Sequence, residues 1–117
     1  MRRTVLIVDD HAAFRESASA LLQAEGFDVV GEAADGPAAI LAATRLRPEV
    51  VLLDVRLPGQ DGFEVAQVLA AAPEPPVVVL ISSRDESTYG ARLDAAPVRG
   101  FIAKRELSGA TLAALVG

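Results

Sequence analysis

Five polar residues stand at the ends of short apolar runs. Asp9 and Asp10 follow Thr4–Val8, Asp54 closes Val50–Leu53, Ser82 closes Val77–Ile81, and Lys104 follows Gly100–Ala103. Short β-branched runs that are apolar at every position read as strands buried on both faces. Laid side by side and pointing one way, such strands bring three carboxylates, a hydroxyl and an ammonium to one edge. Two carboxylates repel by roughly 4 kcal/mol at about 4 Å in an effective dielectric of ~20. A cluster like that calls for a divalent cation, and a few hard oxygen donors open to water suit magnesium. Asp54 then reads as a nucleophile toward phosphorus, because carboxylates form aspartyl phosphates. Magnesium and Lys104 would neutralise charge on the phosphoryl oxygens, and the Ser82 hydroxyl would donate to one of them. Positioning and electrostatics are most of what phosphoryl transfer asks of a protein.

The elements that must hold these groups alternate. Phe27–Glu32 and Gly100–Ala103 are weaker strand runs than the other three. Helical stripes lie between them: Phe14, Ala18, Leu21 and Leu22, stopped by Gly26; Ile40, Ala43 and Leu46, ended by Pro48; Phe63, Ala66 and Leu69, ended by Pro73; and Leu112, Leu115 and Val116 near the C-terminus. The stretch Asp85–Leu93 predicts one short helix, weakened by Gly90. Strand-helix alternation repeated five times predicts an α/β fold, a parallel sheet with helices on both faces. Ligands bind such sheets at the carboxyl ends of the strands, where the strand order reverses.

Composition bounds the remaining choices. Residues 1–117 suit one domain, half of them hydrophobic and under a quarter charged. The absence of cysteine excludes disulfides and thiolate metal sites, and the single histidine excludes a multi-histidine zinc site. A net charge of −5 argues against direct nucleic-acid binding by this domain, which would need a basic patch. No apolar run approaches the roughly 20 residues of a membrane span. Met1-Arg2-Arg3-Thr4 leads straight into a short apolar run and does not read as a secretion signal, so a cytoplasmic location is expected.

Asp9-Asp10, Asp54 with Arg56-Leu57-Pro58-Gly59-Gln60-Asp61-Gly62, Ser82-Ser83, and Gly100-Phe101-Ile102-Ala103-Lys104 resemble the signature set of response-regulator receiver domains. The resemblance covers essentially the whole chain. Asp9-Asp10-His11 leading to Phe14-Arg15, with Val30-Gly31-Glu32-Ala33, further resembles the NarL/FixJ-like (LuxR-type) subgroup of two-component systems. In that subgroup a C-terminal helix-turn-helix effector domain usually follows; here it would lie outside this chain. The resemblance implies a flavodoxin-like (βα)5 doubly wound sheet of five strands in the order 2-1-3-4-5. It implies a phosphorylation-activated switch, not an enzyme that turns over a separate substrate. Asp54 would be the phosphoacceptor. Asp9, Asp10, Asp54 and the backbone carbonyl of Arg56 would hold Mg2+. Lys104 would bind the phosphoryl group, Ser82 would be the switch hydroxyl and Phe101 the switch aromatic. The donor would be a phosphohistidine on a sensor histidine kinase; phosphorylation would change the surface of the fourth and fifth βα units to control an output, and would favour a homodimer.

The chain departs from the family pattern at Arg105, which stands where many receivers have a cis proline, so a trans bond is expected. Phe101 lacks the hydroxyl of the commoner tyrosine. Arg56 and Arg84, two residues past Asp54 and Ser82, are expected at the rim of the site. Two other functions compete. A haloacid-dehalogenase-like phosphatase with an aspartyl nucleophile needs a second acid two residues on, where Arg56 stands. A flavodoxin-like cofactor binder needs a phosphate-cradling loop, and Asp9-Asp10-His11 would repel a phosphate. Plainer roles exist for single residues: Asp9, Asp10 or Ser82 as helix caps, His11 as a surface residue, and Gly59 and Gly62 as turn and helix-entry glycines.

Overall fold

Apolar side chains on both faces of the central strands dictate the architecture. The computed structural model describes residues 2–117. Strands β1 (Thr4–Val8), β2 (Asp28–Ala33), β3 (Val50–Asp54), β4 (Val77–Ser82) and β5 (Gly100–Ala103) form one sheet in the order β2-β1-β3-β4-β5. Every neighbouring pair is parallel. Helices α1 (Ala12–Ala24), α2 (Gly36–Leu46), α3 (Gly62–Ala70), α4 (Gly90–Ala95) and α5 (Gly109–Val116) connect or follow the strands. Leu6, Val8, Val51, Leu53 and Leu80 face Ala39 of α2 and Val65, Ala66 and Leu69 of α3. Their sequence neighbours Val5, Ile7, Leu52, Val79 and Ile81 face Ala18 and Leu22 of α1 and Leu112 and Val116 of α5. Period-two alternation therefore feeds two cores, each fully buried Val, Leu or Ile contributing about 1.5–3 kcal/mol.

The chain leaves β1 toward β2, then returns past β1 to β3. The loops after β1 and β3 thus run to opposite sides and leave a crevice at their carboxyl ends. Asp9 and Asp54 stand there.

Helix boundaries follow local chemistry. Asp35 caps α2 through Ala38 N–H at 2.8 Å, and capping boxes open α3 (Asp61 with Glu64) and α5 (Ser108 with Thr111). Gly26, with φ 103°, lies just past α1 as its stop signal predicts. The Lys104–Arg105 bond is trans, as expected from the missing proline.

Two sequence expectations need correction, and one element lies outside them. The second strand runs from Asp28 to Ala33, not from Phe27, whose ring is buried in the α1-side core instead. The single helix expected over Asp85–Leu93 is broken: a 3-10 turn at Glu86–Thr88 precedes a six-residue α4 that begins at Gly90, φ 45°. A backbone in the left-handed region cannot continue a right-handed helix, so the break falls there. An antiparallel ribbon pairing Arg56–Leu57 with Gln60–Asp61 was not foreseen. Among the described residues, no helix is long and apolar enough to cross a membrane.

Candidate functional site

Asp9 leaves β1 fully buried and Asp54 ends β3 at 4% exposure, two carboxylates on adjacent strands. Lys104 follows β5, with β4 between it and β3, and its long side chain spans that gap. Its Nζ lies 2.5 Å from Asp9 Oδ2 and 3.1 Å from Asp54 Oδ2. The Phe14 ring of α1, read in sequence as a core residue, sits 4.6 Å from the same Nζ and adds a cation–π contact. Asp54 Oδ1 accepts the Arg56 N–H at 3.1 Å. Asp9 Oδ1 accepts the His11 N–H at 2.8 Å. Asp10 is more exposed, and its Oδ1 is 3.1 Å from His11 Nδ1. Neither Asp9 nor Asp10 caps α1, whose N-cap is His11 with no side-chain bond.

The electrostatics single out Asp54. Burial pushes its carboxyl up, the Asp9 charge adds to this, and the Arg56 N–H and Lys104 pull back; the net pKa is about 6. Burial also pushes Asp9 up, but Lys104 and the His11 N–H more than offset it, so Asp9 sits below its ordinary value. Burial lowers Lys104, and the close carboxylates of Asp9 and Asp54 more than offset this, leaving it above its ordinary value. At Asp54 burial dominates, whereas at Asp9 the nearer ammonium and the His11 N–H outweigh it. Asp54 is the acid whose charge is incompletely compensated.

A divalent cation fits this donor set. One ligand atom each from Asp9, Asp10, His11 and Asp54 lie within 4.8 Å of one another. Asp9 Oδ2 is buried with no hydrogen-bond partner, although the Lys104 ammonium is beside it: the charges attract, but the geometry is not that of a hydrogen bond. An oxygen left in that state is an open coordination direction for a hard cation.

The surroundings fix this geometry. Arg15 donates to the Asp9 carbonyl at 2.6 Å and to Glu32 at 3.0 Å, tying the end of β1 to β2. Sequence reasoning gave Arg15 no role beyond its place in a motif. Gly62 N–H bonds the Val55 carbonyl at 2.7 Å, and a methyl on Gly62 would come within 2.8 Å of Val55 Cα. Gly59, with φ 72°, turns the ribbon. Both glycines serve as turn and helix entry, as read.

Ser82 ends β4 almost fully buried, its Oγ accepting the Arg84 N–H at 3.0 Å. It caps no helix. Its second partner, missed in the sequence, is the Tyr89 hydroxyl at 2.7 Å. The Tyr89 ring lies between Phe63 and Phe101, with centroids 5.7 and 5.8 Å away. The one available signal was that Tyr89 is the only tyrosine, beside the glycine that breaks the helix. Arg56 and Arg84 line one shallow groove with Tyr89 and Arg92. Among the described residues neither of the first two forms an ion pair; Asp85 pairs with Arg105 at 2.5 Å, and Arg92 pairs with Asp61 at 2.6 Å. A larger cavity of about 780 Å³ between α2 and α3 lies at the amino ends of the strands, lined by Arg3, Glu49 and Val77 among others, and contains none of the site residues.

A doubly wound sheet with acids at its switch point and a lysine reaching across from the last strand defines a class of proteins, and comparison narrows it. The profile of the response regulator receiver domain matches residues 5–116. The DNA-binding response regulator MtrA of Mycolicibacterium paratuberculosis is 44% identical over 87 residues, covering 73% of this chain and 37% of that protein. The transcriptional regulatory protein PdtaR of Mycobacterium tuberculosis is 40% identical over 85 residues, covering 71% and 42%. The signal receiver domain of NarL from Mycobacterium tuberculosis superposes with a TM-score of 0.86 at 36% identity, covering 99% of this chain and 98% of that one. A LuxR-family DNA-binding response regulator from Staphylococcus aureus, 19% identical with a TM-score of 0.87 over 98% and 99% of the two chains, shares the fold. The chain belongs to the response regulator receiver domain family. That fold is the flavodoxin-like one expected, and the NarL- and LuxR-type regulators are among its structural neighbours. The family's general function is a phosphorylation-activated signalling switch; response regulators receive the phosphoryl group from sensor histidine kinases in two-component systems, and receivers bind Mg2+ at an acidic pocket. This chain spans less than half the length of these curated relatives.

Proposed function

We propose that Asp54 is the phosphoacceptor and that Asp9, Asp10, Asp54 and the Arg56 carbonyl hold Mg2+ beside it. The observation that carries this reading is the Lys104 ammonium set against both Asp9 and Asp54 at the mouth of the switch-point crevice. When bound, the metal supplies charge neutralisation for the phosphoryl oxygens. The chain does the rest. An Asp54 oxygen attacks phosphorus in line, forming the P–O bond as the P–N bond of a phosphohistidine breaks and its electron pair leaves with the imidazole. Even in the metal-free chain, where burial raises its pKa to about 6, Asp54 is mostly ionised at neutral pH and able to attack. Lys104 then passes from the carboxylate to a phosphoryl oxygen, and Ser82 donates to another. Phe101, half-buried beside Tyr89, turns with the shift of Ser82. Arg56 and Arg84, free of ion pairs among the described residues, flank the phosphoryl group from the groove.

On this reading the domain catalyses only its own phosphorylation and slow dephosphorylation. It works in the cytoplasm, contacts neither membrane nor nucleic acid itself, and acts on a DNA-binding effector domain outside residues 1–117. Arg56 stands where a haloacid-dehalogenase-like phosphatase needs an acid, and the acids after β1 stand where a flavin phosphate would sit; both alternatives are disfavoured. The test is incubation with acetyl phosphate and magnesium, followed by intact-mass measurement. One added phosphoryl group is expected in the wild type and none in Asp54→Asn. Equal labelling of the two proteins overturns the assignment.

A further inference from the structure

The Ser82 hydroxyl has more than one claim on it. A hydroxyl accepts two hydrogen bonds and donates one. The Arg84 N–H at 3.0 Å fills one acceptor position of Ser82 Oγ. Tyr89 Oη at 2.7 Å, a full-strength O–H···O distance, fills the other or takes the proton. The phenol oxygen is placed by its ring, which is wedged between Phe63 of α3 and Phe101 of β5.

Little else fixes this part of the chain. From Glu86 to Ala95 no residue is buried; Tyr89 and Leu93 are the half-buried ones. Arg92 reaches outward to Asp61 at 2.6 Å and lies 4.3 Å from the Phe63 ring, and Asp85 meets Arg105 at the surface. Tyr89 is also the joint of the broken element, ending the 3-10 turn and preceding Gly90 at φ 45°. The most deeply seated hydroxyl in the region is thus tied to its least anchored segment.

We propose that Tyr89 is a positioning residue for Ser82 and a latch on α4: its hydroxyl holds the Ser82 hydroxyl in the resting orientation. In that orientation the Ser82 proton is given to Tyr89, so Ser82 must let go of Tyr89 to donate to a phosphoryl oxygen, and the release frees the start of α4. Phe101 has no hydrogen-bonding atom in its side chain; Tyr89 supplies the polar contact that Phe101 lacks. This inference rests on the assignment of Ser82 to the phosphoryl group made above.

The chain contains one tyrosine and no tryptophan, so its tyrosine-band absorption and fluorescence report on Tyr89 alone. In the resting protein, Ser82→Ala should already shift that signal. In the wild type, magnesium with beryllofluoride should shift it the same way, and in Ser82→Ala the addition should change it little further. Tyr89→Phe keeps the ring and removes the latch. By calorimetry it should bind beryllofluoride about fivefold tighter, the equivalent of one net hydrogen bond. Its affinity for magnesium alone should be unchanged, and adding Tyr89→Phe to Ser82→Ala should have no effect. Identical resting spectra for wild type and Ser82→Ala overturn the latch, as does equal beryllofluoride affinity for wild type and Tyr89→Phe. Failure of the wild type to bind beryllofluoride overturns the Asp54 assignment instead, while the resting spectra still decide whether the latch exists.

Discussion

Asp54 carries a cost that its own titration reveals. Its folded pKa of about 6 lies above the ordinary 3.8, so between those values the folded chain holds a proton that the unfolded chain has lost. The associated stability is fully present below pH ~4 and is lost as pH rises through about 6. A shift of roughly two units corresponds to about 3 kcal/mol at most, less because Asp9 and Lys104 share the titration. Asp54→Asn should therefore melt higher than wild type in chelator at neutral pH, by about 4–8 °C for each kcal/mol recovered. The gap should close near pH ~4. Melting curves across that range check this; a gap that does not change with pH contradicts it. Asp9 acts oppositely. Its lowered pKa contributes stability above the ordinary value that is lost as pH falls, so the wild type has an acid limb of its own.

At the scale of elements, legibility followed burial. β1, β3 and β4 could be read because Val5–Val8, Val50–Asp54 and Val78–Ser82 are buried at every position, and short, β-branched apolar runs of that kind suit strands covered on both faces. The acids and Ser82 came with them, since a strand end needs no side-chain detail to be located. β2 is an edge strand with half-buried residues and a glycine, so its start was misplaced by one residue. α4 buries nothing and leaves no apolar stripe, so no period could show that the element is broken at Gly90. Two-residue ribbon strands are shorter than any period. Arg15, Phe14 and Tyr89 reach the site through tertiary approach, which one-dimensional spacing does not carry.

That ribbon has a measurable consequence. It returns the chain so that Gly62 lies against the backbone of Asp54 and Val55, and no Cβ fits there. Gly62→Ala must push α3 or the β3 end aside, an overpacking that costs about 1–3 kcal/mol. Because the residue displaced is the proposed phosphoacceptor, labelling by acetyl phosphate should fall at least severalfold even at temperatures where the variant is folded. Labelling equal to wild type, with circular dichroism showing the fold intact, would mean that the β3 end tolerates the shift.

Over the whole molecule, rigidity and charge are distributed unevenly. The chain has a radius of gyration of 12.6 Å, and its sheet is tied on both faces, while the stretch around α4 hangs on Tyr89, Arg92 and surface pairs. A change at Asp54 is therefore transmitted most cheaply to α4, because moving a buried helix or strand would disrupt a core. The family resemblance implies that phosphorylation favours a homodimer. The net charge of −5 opposes that encounter, and a phosphoryl group adds to it. Specific contacts must overcome a repulsion that salt screens over about 8–10 Å. Light scattering should find a monomer without phosphoryl mimic and a shift toward dimer with magnesium and beryllofluoride. The dimer should tighten from low to physiological ionic strength, the opposite of what ion pairs across the interface would give. Equal mass in both states at high protein concentration would count against dimerisation. A dimer weakened by salt would instead place charge pairs at its centre and move the contact toward the arginines of the Arg56–Arg84–Arg92 groove.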